Sequence, residues 1–264
     1  MHKLARHGAS RRVRTVWISD VHLGYHAARA DYLLEFLRTV ECETLYLVGD
    51  IVDLWQIRRR PFWPQAHNDV VRAILGKARD GTRVVYVPGN HDEALRGYVN
   101  HDFGNIAIRE RAVHECANGL RLLVVHGDQF DAAVASSRWL GMLGARAYGL
   151  LLVANVAVNA VRRRCGFPYW SLAGFLKHKV NNAVKYISRF ETVVAEAAAR
   201  EGVHGVVCGH IHRPEIATIG GIAYHNCGDW VESCTALIEQ RDGRIELVEW
   251  QVERAAPGTP AAAA

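Results

Sequence analysis

Short apolar runs rich in β-branched residues alternate along the chain with segments whose apolar positions follow helical spacing. The run at residues 13–18 predicts a buried strand, and residues 31–40 and 65–79 have the spacing of helices that bury one face. The same criterion predicts further strands at residues 45–48, 83–87, 112–116, 120–125, 203–208, 215–219, 222–226, 235–240 and 245–252. Strands that first alternate with helices and then follow one another closely predict an α/β fold.

The stretch at about residues 131–200 carries no strand signal and contains many Arg and Lys. It predicts a helical insertion over one face of the α/β domain. We therefore expect a basic N-terminal tail at residues 1–12 and a single domain at residues 13–253 that contains the insertion. Residues 254–264 end in the low-complexity sequence AAPGTPAAAA and are expected to be a disordered tail.

Composition narrows the class of protein. The 264 residues are 50% hydrophobic and 22% charged, which excludes a wholly disordered chain. The formal net charge of +5 favours anionic partners, among which we do not expect nucleic acid. The 6 cysteines include no Cys-x-x-Cys pair, so reduced thiols in a cytoplasmic protein are expected. The 14 histidines indicate metal binding or proton transfer, because His is the commonest metal ligand and a proton shuttle.

Two neighbouring segments bear on membrane contact. Residues 147–161 are apolar, but a spanning helix needs roughly 20 such residues. The segment fits a packed helix, a helix resting on a membrane, or a cover for an apolar ligand. The arginines that follow it, Arg162, Arg163 and Arg164, suit either anionic lipid or a solvated cluster. Because the N-terminus lacks the apolar stretch of a signal peptide, we expect a cytoplasmic protein, with peripheral contact at the cytoplasmic face of the inner membrane as one hypothesis.

Polar residues that can bind metal follow five of the predicted strands, at the point where each strand ends. The carboxyl ends of strands in an α/β sheet share one edge, so residues far apart in sequence can meet there. These residues are Asp20, His22, Asp50, Asn90, His126, His210 and His212. Carboxylate, amide and imidazole together suit a divalent ion such as Mn²⁺, Fe²⁺ or Zn²⁺. A structural zinc site of the cysteine type is not indicated, because no cysteine is among them.

Seven candidate ligands are too many for one tetrahedral ion, and they predict two ions. A carboxylate shared by both ions would place them about 3.5–4 Å apart, as in two-metal hydrolases. Two carboxylates against two divalent cations leave a formal charge near +2. That charge attracts a phosphate or diphosphate and lowers the pKa of a water between the ions. The expected cofactor is a pair of divalent ions, Mn²⁺ first and a mixed Fe/Zn pair as the alternative.

The motifs DVHLG, GDIVDLW, GNHD, HGD and GHIHRP, in this order, resemble the signature set of the calcineurin-like metallophosphoesterases over about residues 13–239. The resemblance implies a four-layer αββα sandwich, in which two sheets are flanked by helices. It implies one ion held by Asp20, His22, Asp50 and His212, and a second held by Asp50, Asn90, His126 and His210. Asp50 would be the bridge. His91 would be the catalytic residue, donating to a phosphoryl oxygen or protonating the leaving group.

Within that superfamily the chain most resembles the UDP-2,3-diacylglucosamine pyrophosphatases of lipid A synthesis. The likeness lies in DVHLG, GDIVDLW, the helical segment between HGD and GHIHRP, and NCGDW at residues 226–230. That family cleaves the diphosphate of a UDP-linked diacyl sugar, giving UMP and an acylated sugar 1-phosphate. An apolar, basic insertion suits such a substrate. The best-studied branch has Arg where this chain has His91, a departure that bears on the substrate rather than on the chemistry.

Several polar residues have both a functional and a structural interpretation. In the insertion, Lys179, Asn182 and Lys185 are candidate substrate-binding residues or else line a solvated helix face. The carboxylates near the ligand motifs either orient ligand imidazoles or serve as caps and surface groups; they are Asp53, Asp92, Asp128 and Asp229. Two rival hypotheses stay open for the whole chain. One is a phosphodiesterase or phosphatase acting on another nucleotide or phospholipid, and the other is an inactive fold that binds a lipid or protein.

Overall fold

The computed structural model describes residues 2–4, 11–134 and 172–250, with side chains in residues 11–134 and 184–250. The apolar segment 147–161, the arginines at 162–164, the tail 254–264 and the side chains of Lys179 and Asn182 lie outside this description. The chain divides into two compact units, one of residues 1–128 with 195–264 and one of residues 129–194. The second unit overlaps the predicted insertion.

Thirteen strands and five α-helices make up the described residues. The strands are β1 (His2–Leu4), β2 (Arg11–Ile18), β3 (Val40–Val48), β4 (Arg83–Val87), β5 (Asp102–Phe103), β6 (Ile106–Ile108), β7 (Ala112–Glu115), β8 (Arg121–Val124), β9 (Gly205–Cys208), β10 (Glu215–Ile219), β11 (Ile222–Asn226), β12 (Thr235–Glu239) and β13 (Ile245–Trp250). The helices are α1 (Ala30–Thr39), α2 (Leu54–Arg59), α3 (Gln65–Arg79), α4 (Asp131–Val134) and α5 (Leu172–Arg200). Short 3₁₀ helices follow β4 and β8, at Glu93–Tyr98 and Asp128–Phe130.

The strands form two sheets. The larger has the order β1-β13-β12-β2-β3-β4-β6-β5, and the smaller has the order β10-β11-β9-β8-β7. In the larger sheet β2, β3, β4 and β6 run parallel, and in the smaller sheet β8, β9 and β11 run parallel. The carboxyl ends of these parallel strands are where the loops that carry the candidate ligands begin.

Both faces of the larger sheet are buried, which explains why its central strands are apolar runs rather than alternating ones. Alternate side chains of β2 and β3 face α1 and α3 and form a first core cluster, which includes Val16, Ile18, Leu33, Phe36, Leu45, Leu47, Val70 and Ile74. The intervening side chains face the smaller sheet and form a second cluster, which includes Trp17, Tyr46, Val48, Leu122, Val124 and Val207. This arrangement confirms the expected mixed α/β fold, with two sheets flanked by helices.

The observed strands differ from the predicted ones mainly where polar residues take part in strand pairing. Strands β2 and β3 begin earlier than predicted because the pairs Arg11↔Val40 and Arg12↔Glu41 continue the ladder through polar residues. The pattern also missed α2, β5, β6 and the strand β1, which lies inside the predicted basic tail and pairs with β13. Of the predicted helical block, α4 and α5 are described and are helical. No helix among the described residues is long and apolar enough to cross a membrane.

Candidate metal centre

Five of the seven candidate ligands have a backbone conformation that side-chain-bearing residues rarely adopt. Asp20, His22, Asp50, His210 and His212 have φ values of 52°, 54°, 54°, 71° and 53°. This left-handed region is disfavoured for residues with a Cβ, and such strain clusters at functional sites. The chain turns sharply at each of these residues, just after a strand ends. The turns bring the five side chains to the edge that the strands share.

Asp20, His22 and His212 bring three ligand atoms together. Nε2 of His212 lies 3.3 Å from Oδ1 of Asp20 and 3.3 Å from Nε2 of His22. Two imidazole nitrogens facing one another and a carboxylate oxygen form a donor set that a cation satisfies better than a single proton. Asp20 is fully buried, and its Oδ2 accepts a hydrogen bond of 2.9 Å from the backbone N–H of His210.

Asp50 lies between this group and His126. Its Oδ2 is 4.0 Å from Nε2 of His22 and 3.4 Å from Nε2 of His126. Its Oδ1 accepts a hydrogen bond of 2.8 Å from the backbone N–H of His91. Because Nδ1 of His126 lies 3.0 Å from the carbonyl oxygen of Val48 and donates to it, the other ring nitrogen is directed at Asp50. This position between two groups of imidazoles is the one that a bridging carboxylate needs.

Of the remaining two candidate ligands, His210 contacts His126, and Asn90 follows a glycine that lies against Asp50 and His126. The ring of His210 lies 5.2 Å from that of His126, centroid to centroid, in an edge-to-face arrangement. Asn90 follows Gly89 in the loop after β4, and its Oδ1 is buried. A Cβ added at Gly89 would stand 2.3 Å from Oδ1 of Asp50 and 2.8 Å from Cδ2 of His126, so the loop that carries Asn90 lies against both residues.

The residues present fit a pair of divalent cations. Oδ1 of Asp20, Oδ1 of Asn90 and Nε2 of His126 are buried, and none makes a hydrogen bond of acceptable geometry within the described chain. His212 lies 3.3 Å from the first of these atoms and Asp50 lies 3.4 Å from the last, but these are contacts between potential ligand atoms rather than well-directed hydrogen bonds. Buried polar atoms are nearly always satisfied, so three such atoms at one edge indicate a missing partner. Ligand atoms of Asp20, His22 and His212 lie within 4.8 Å of one another, as do those of Asp20, Asp50 and His126. These two groups share Asp20, and Asp50 is in turn shared between the second group and a third that contains His22 and His91. Both carboxylates therefore lie between neighbouring groups of ligand atoms, as two neighbouring ions require.

The carboxylates and imidazoles at this edge of the sheets shift one another's pKa values. Burial alone would raise the pKa of Asp20, but the imidazoles of His212, His126 and His22 hold that pKa well below its usual range. Burial alone would lower the pKa of His126, but the carboxylates of Asp50 and Asp20 raise it to about 10. The buried carboxylates therefore stabilise positive charge at this edge, which either protons or divalent cations supply.

His91 lies beside the ligand groups and contacts Asp53. Nδ1 of His91 is 3.0 Å from Oδ1 of Asp53, and the other oxygen of this carboxylate is 3.2 Å from Nδ1 of His22. The indole of Trp55 packs on the other side of the His91 ring, with centroids 4.4 Å apart. Burial alone would lower the pKa of His91, but Asp53 and Asp50 raise it. The imidazole is thus held in place and favoured in its protonated form.

Of the four carboxylates considered as partners of ligand imidazoles, Asp53 has this contact. Asp92 is buried and instead joins two loops, accepting from the N–H of Gly89 at 2.6 Å and from that of Ile51 at 2.8 Å. Asp229 accepts from the backbone N–H of residues 231–233, and Asp128 accepts from Arg96 at 2.7 Å. These three carboxylates bond to the loops near the candidate ligands and make no hydrogen bond to a ligand imidazole among the described residues.

Sequence reasoning missed the role of the glycines that precede ligands. A Cβ added at Gly49 would stand 2.2 Å from Nδ1 of His126, and one added at Gly89 would stand 2.3 Å from Oδ1 of Asp50. The repeated order Gly-Asp and Gly-Asn was the available signal, since glycine allows such close approach. It also missed His67, which is buried and accepts a hydrogen bond of 2.9 Å from the N–H of Gly24 in the first ligand loop.

The structure describes one of the three candidate substrate-binding side chains. Lys185 lies on α5 and is exposed, as are its neighbours Val184 and Tyr186. Tyr186 donates a hydrogen bond of 2.8 Å to Asp131, a contact within the second compact unit. A role of Lys185 in binding substrate stays a prediction.

Comparison with known proteins finds similarity to a family model, to curated relatives and to solved structures. A family model described as calcineurin-like phosphoesterase matches residues 13–214. A relative named UDP-2,3-diacylglucosamine hydrolase, from Xanthomonas axonopodis pv. citri, is 29% identical over 249 residues, covering 87% of this chain and 96% of the relative. A relative of the same name from Serratia proteamaculans is 24% identical over 252 residues, covering 90% and 99%. A solved archaeal phosphodiesterase is 13% identical, with coverage of 89% of this chain and 98% of that chain and a TM-score of 0.42.

Proposed function

The chain belongs to the calcineurin-like phosphoesterase family, and on that premise we propose that it hydrolyses UDP-2,3-diacylglucosamine to UMP and 2,3-diacylglucosamine 1-phosphate. It is a metal-dependent phosphoester hydrolase. The observation that carries the proposal is the convergence of buried carboxylate, amide and imidazole atoms, three of them without a well-directed hydrogen bond in the described chain, at one edge of the two sheets. The relatives named after this substrate align along most of their own length.

Asp20, His22, Asp50 and His212 would hold one divalent ion, and Asp50, Asn90, His126 and His210 would hold the other, with Mn²⁺ as the first candidate. Bound ions of this kind neutralise the charge on a phosphoryl group and supply an activated water for in-line attack on phosphorus. Within the chain, Asp50 contributes one oxygen towards His22 and His126 and is oriented by the N–H of His91.

His91 would act on the phosphoryl group as a proton or hydrogen-bond donor. Its Nδ1 faces Asp53 at 3.0 Å, so Nε2 is the nitrogen left to face a substrate. Burial lowers the pKa of this imidazole, but Asp53 and Asp50 outweigh it and raise that pKa, which favours the protonated ring that a proton donor needs. Trp55, packed on the ring, and Asp53 restrict its rotation.

The test compares two substrates on one protein. Metal-free protein is reloaded with Mn²⁺ and given either UDP-2,3-diacylglucosamine dispersed in detergent or bis-p-nitrophenyl phosphate, a generic phosphodiester. We expect release of UMP and the acylated sugar 1-phosphate at a rate far above generic turnover. Generic turnover without UMP release would reject the substrate and favour another nucleotide or a phospholipid. Full ion content without turnover of either substrate would reject the proposed hydrolysis.

Asp50→Asn and Asp80→Asn form the matched pair of variants. Asp50→Asn removes the charge of the shared carboxylate and should abolish UMP release together with ion binding. Asp80 is exposed and pairs with Arg79, so Asp80→Asn should behave like the unaltered protein. Normal ion content and activity in Asp50→Asn would exclude its bridging role.

A further inference from the structure

A run of six exposed residues, 58–63, joins α2 to α3 beside the metal centre. It has the sequence RRRPFW, and we refer to Arg58, Arg59, Arg60, Phe62 and Trp63 as the arginine–aromatic segment. Helix α2 ends at Arg59, the backbone of Arg60 is extended, and α3 begins at Gln65. Residues 54–68 contain no acidic side chain. The flanking carboxylates are bonded to other groups, Asp53 to His22 and His91 and Asp69 to Gln65, so they form no ion pair with the three arginines.

The three arginines are unpaired in the described part of the chain. None of Arg58, Arg59 and Arg60 has a side-chain hydrogen bond or an ion pair there. Some other described arginines are paired with carboxylates, as Arg14 is with Glu239 at 2.6 Å and Arg96 with Asp128 at 2.7 Å. Further arginines that are unpaired among the described residues, such as Arg38, Arg83 and Arg241, occur singly along the chain, whereas Arg58, Arg59 and Arg60 are consecutive. Three adjacent exposed guanidinium groups without carboxylates form a site for an anionic surface.

The two aromatic residues are anchored at one side and exposed at the other. Phe62 and Trp63 are 40% and 45% exposed. Both rings meet the buried ring of His67 edge-on, with centroids 5.6 Å and 5.5 Å apart. Pro61 and Pro64 bracket them and restrict the backbone, which lowers the entropy cost of holding the rings outward.

The segment is connected directly to the metal centre. His67, on which the aromatic rings pack, accepts the hydrogen bond from Gly24, two residues after the candidate ligand His22. At the other end of α2, Trp55 packs on His91. A surface that contacts the segment therefore lies next to the candidate ligands.

We propose that the arginine–aromatic segment docks this protein on an anionic lipid surface. Arginines interact with anionic headgroups, and Trp and Phe side chains insert at the boundary between headgroups and acyl chains. The inference rests on the proposed function in one respect: a diacyl substrate presents its diphosphate at headgroup level, where docking would place the metal centre. That is why lipid is favoured over single-stranded nucleic acid, which also binds arginines and aromatic rings.

Vesicles that contain neither substrate nor nucleotide test the docking separately from the activity. The full chain, loaded with Mn²⁺, is sedimented with vesicles of phosphatidylglycerol and phosphatidylcholine, and with vesicles of phosphatidylcholine alone. We expect binding to the anionic vesicles, and a loss of about a hundredfold in affinity when Arg58, Arg59 and Arg60 are all changed to Gln. The matched control changes Arg12, Arg79 and Arg241 to Gln, which removes the same charge from exposed positions elsewhere and should keep the affinity.

A second variant, Phe62→Ser with Trp63→Ser, should also weaken vesicle binding, with circular dichroism to verify folding. UMP release from detergent-dispersed substrate should stay unchanged in the arginine variant, so loss of docking and failure of the proposed function give different results. Absence of vesicle binding, or equal binding by the arginine variant and its control, would overturn the proposal. Binding of a single-stranded oligonucleotide but not of vesicles, lost in the arginine variant, would also overturn it.

Discussion

The backbone of Gly49 lies so close to the imidazole of His126 that a Cβ added at Gly49 would stand 2.2 Å from Nδ1 and 2.3 Å from Cγ of the ring. The same nitrogen bonds to the carbonyl oxygen of Val48. The loop after β3 and the loop after β8 thus meet at a glycine, and this contact directs Nε2 of His126 at Asp50.

Gly49→Ala should displace His126 and empty the second ion site. Real Cβ atoms do not approach to 2.2 Å, and Gly49 also has φ +75°. We expect loss of at least one ion per chain and a fall in activity of about a hundredfold or more. Gly202→Ala is the control, since Gly202 has φ +67° but open space around the added Cβ. It should cost about 1 kcal/mol and leave the ions in place. Normal metal content in Gly49→Ala by elemental analysis would contradict the argument.

His91→Gln should separate proton donation from ion binding. Ligand atoms of His91 lie within 4.8 Å of those of His22 and Asp50, so the geometry also allows His91 to be a ligand. If His91 donates to the phosphoryl group, kcat should fall by about 10²–10⁴ while the ion content stays at two per chain. Loss of an ion together with the activity would instead identify His91 as a ligand. Elemental analysis and kcat on the same preparation decide between these roles.

Ion binding should release protons. Although burial opposes it, the carboxylates of Asp50 and Asp20 raise the pKa of His126 to about 10, so this ring is protonated at neutral pH without the ion. A ligand imidazole must be neutral to bind metal, so the apparent affinity should rise with pH between about 6 and 9. Calorimetry in buffers of different ionisation enthalpy measures the protons released. An affinity independent of pH would contradict the role of His126.

Glu239, which lies away from the candidate ligands, should make the free energy of unfolding depend on pH in the acid range. Burial raises its pKa, but hydrogen bonds from His114, Thr15, the backbone of Ala117 and Arg14 outweigh this and lower the pKa to about 2. A depressed pKa contributes stability above the unfolded value, near 4.5, which is lost as pH falls towards 2.

Glu239→Gln should therefore destabilise the protein by about 2–3 kcal/mol more at pH 6 than at pH 3. The exposed carboxylate of Glu43 offers the control Glu43→Gln, which should change the free energy of unfolding little at either pH. Urea unfolding at both pH values measures the difference. An equal effect of Glu239→Gln at both would mean that the carboxylate is not ionised in the folded state.

The convergence of the candidate ligands at one edge was predictable, because it depends on residue type and on position at strand ends. Asp20, Asp50 and His126 each follow an apolar run, and parallel strands bring their carboxyl ends to one edge whatever the details of packing. The α/β class was predictable for the same reason, since alternating strands and helices have few ways to bury their apolar faces. The strand β6 and the helix α2 were not predictable, because short elements are set by their neighbours.

What only the tertiary structure decided is the contact each polar group makes. Asp53 and Asp92 both belong to the ligand motifs, yet Asp53 contacts two imidazoles while Asp92 joins backbone loops. Nothing local distinguishes two such carboxylates, because the contacts join residues tens of positions apart across packed strands. The contact between Gly49 and His126 likewise joins residues that are far apart in the sequence. The sequence by itself determined which ligand chemistry gathers at this edge, and the packing of the two sheets decided which atoms face one another there.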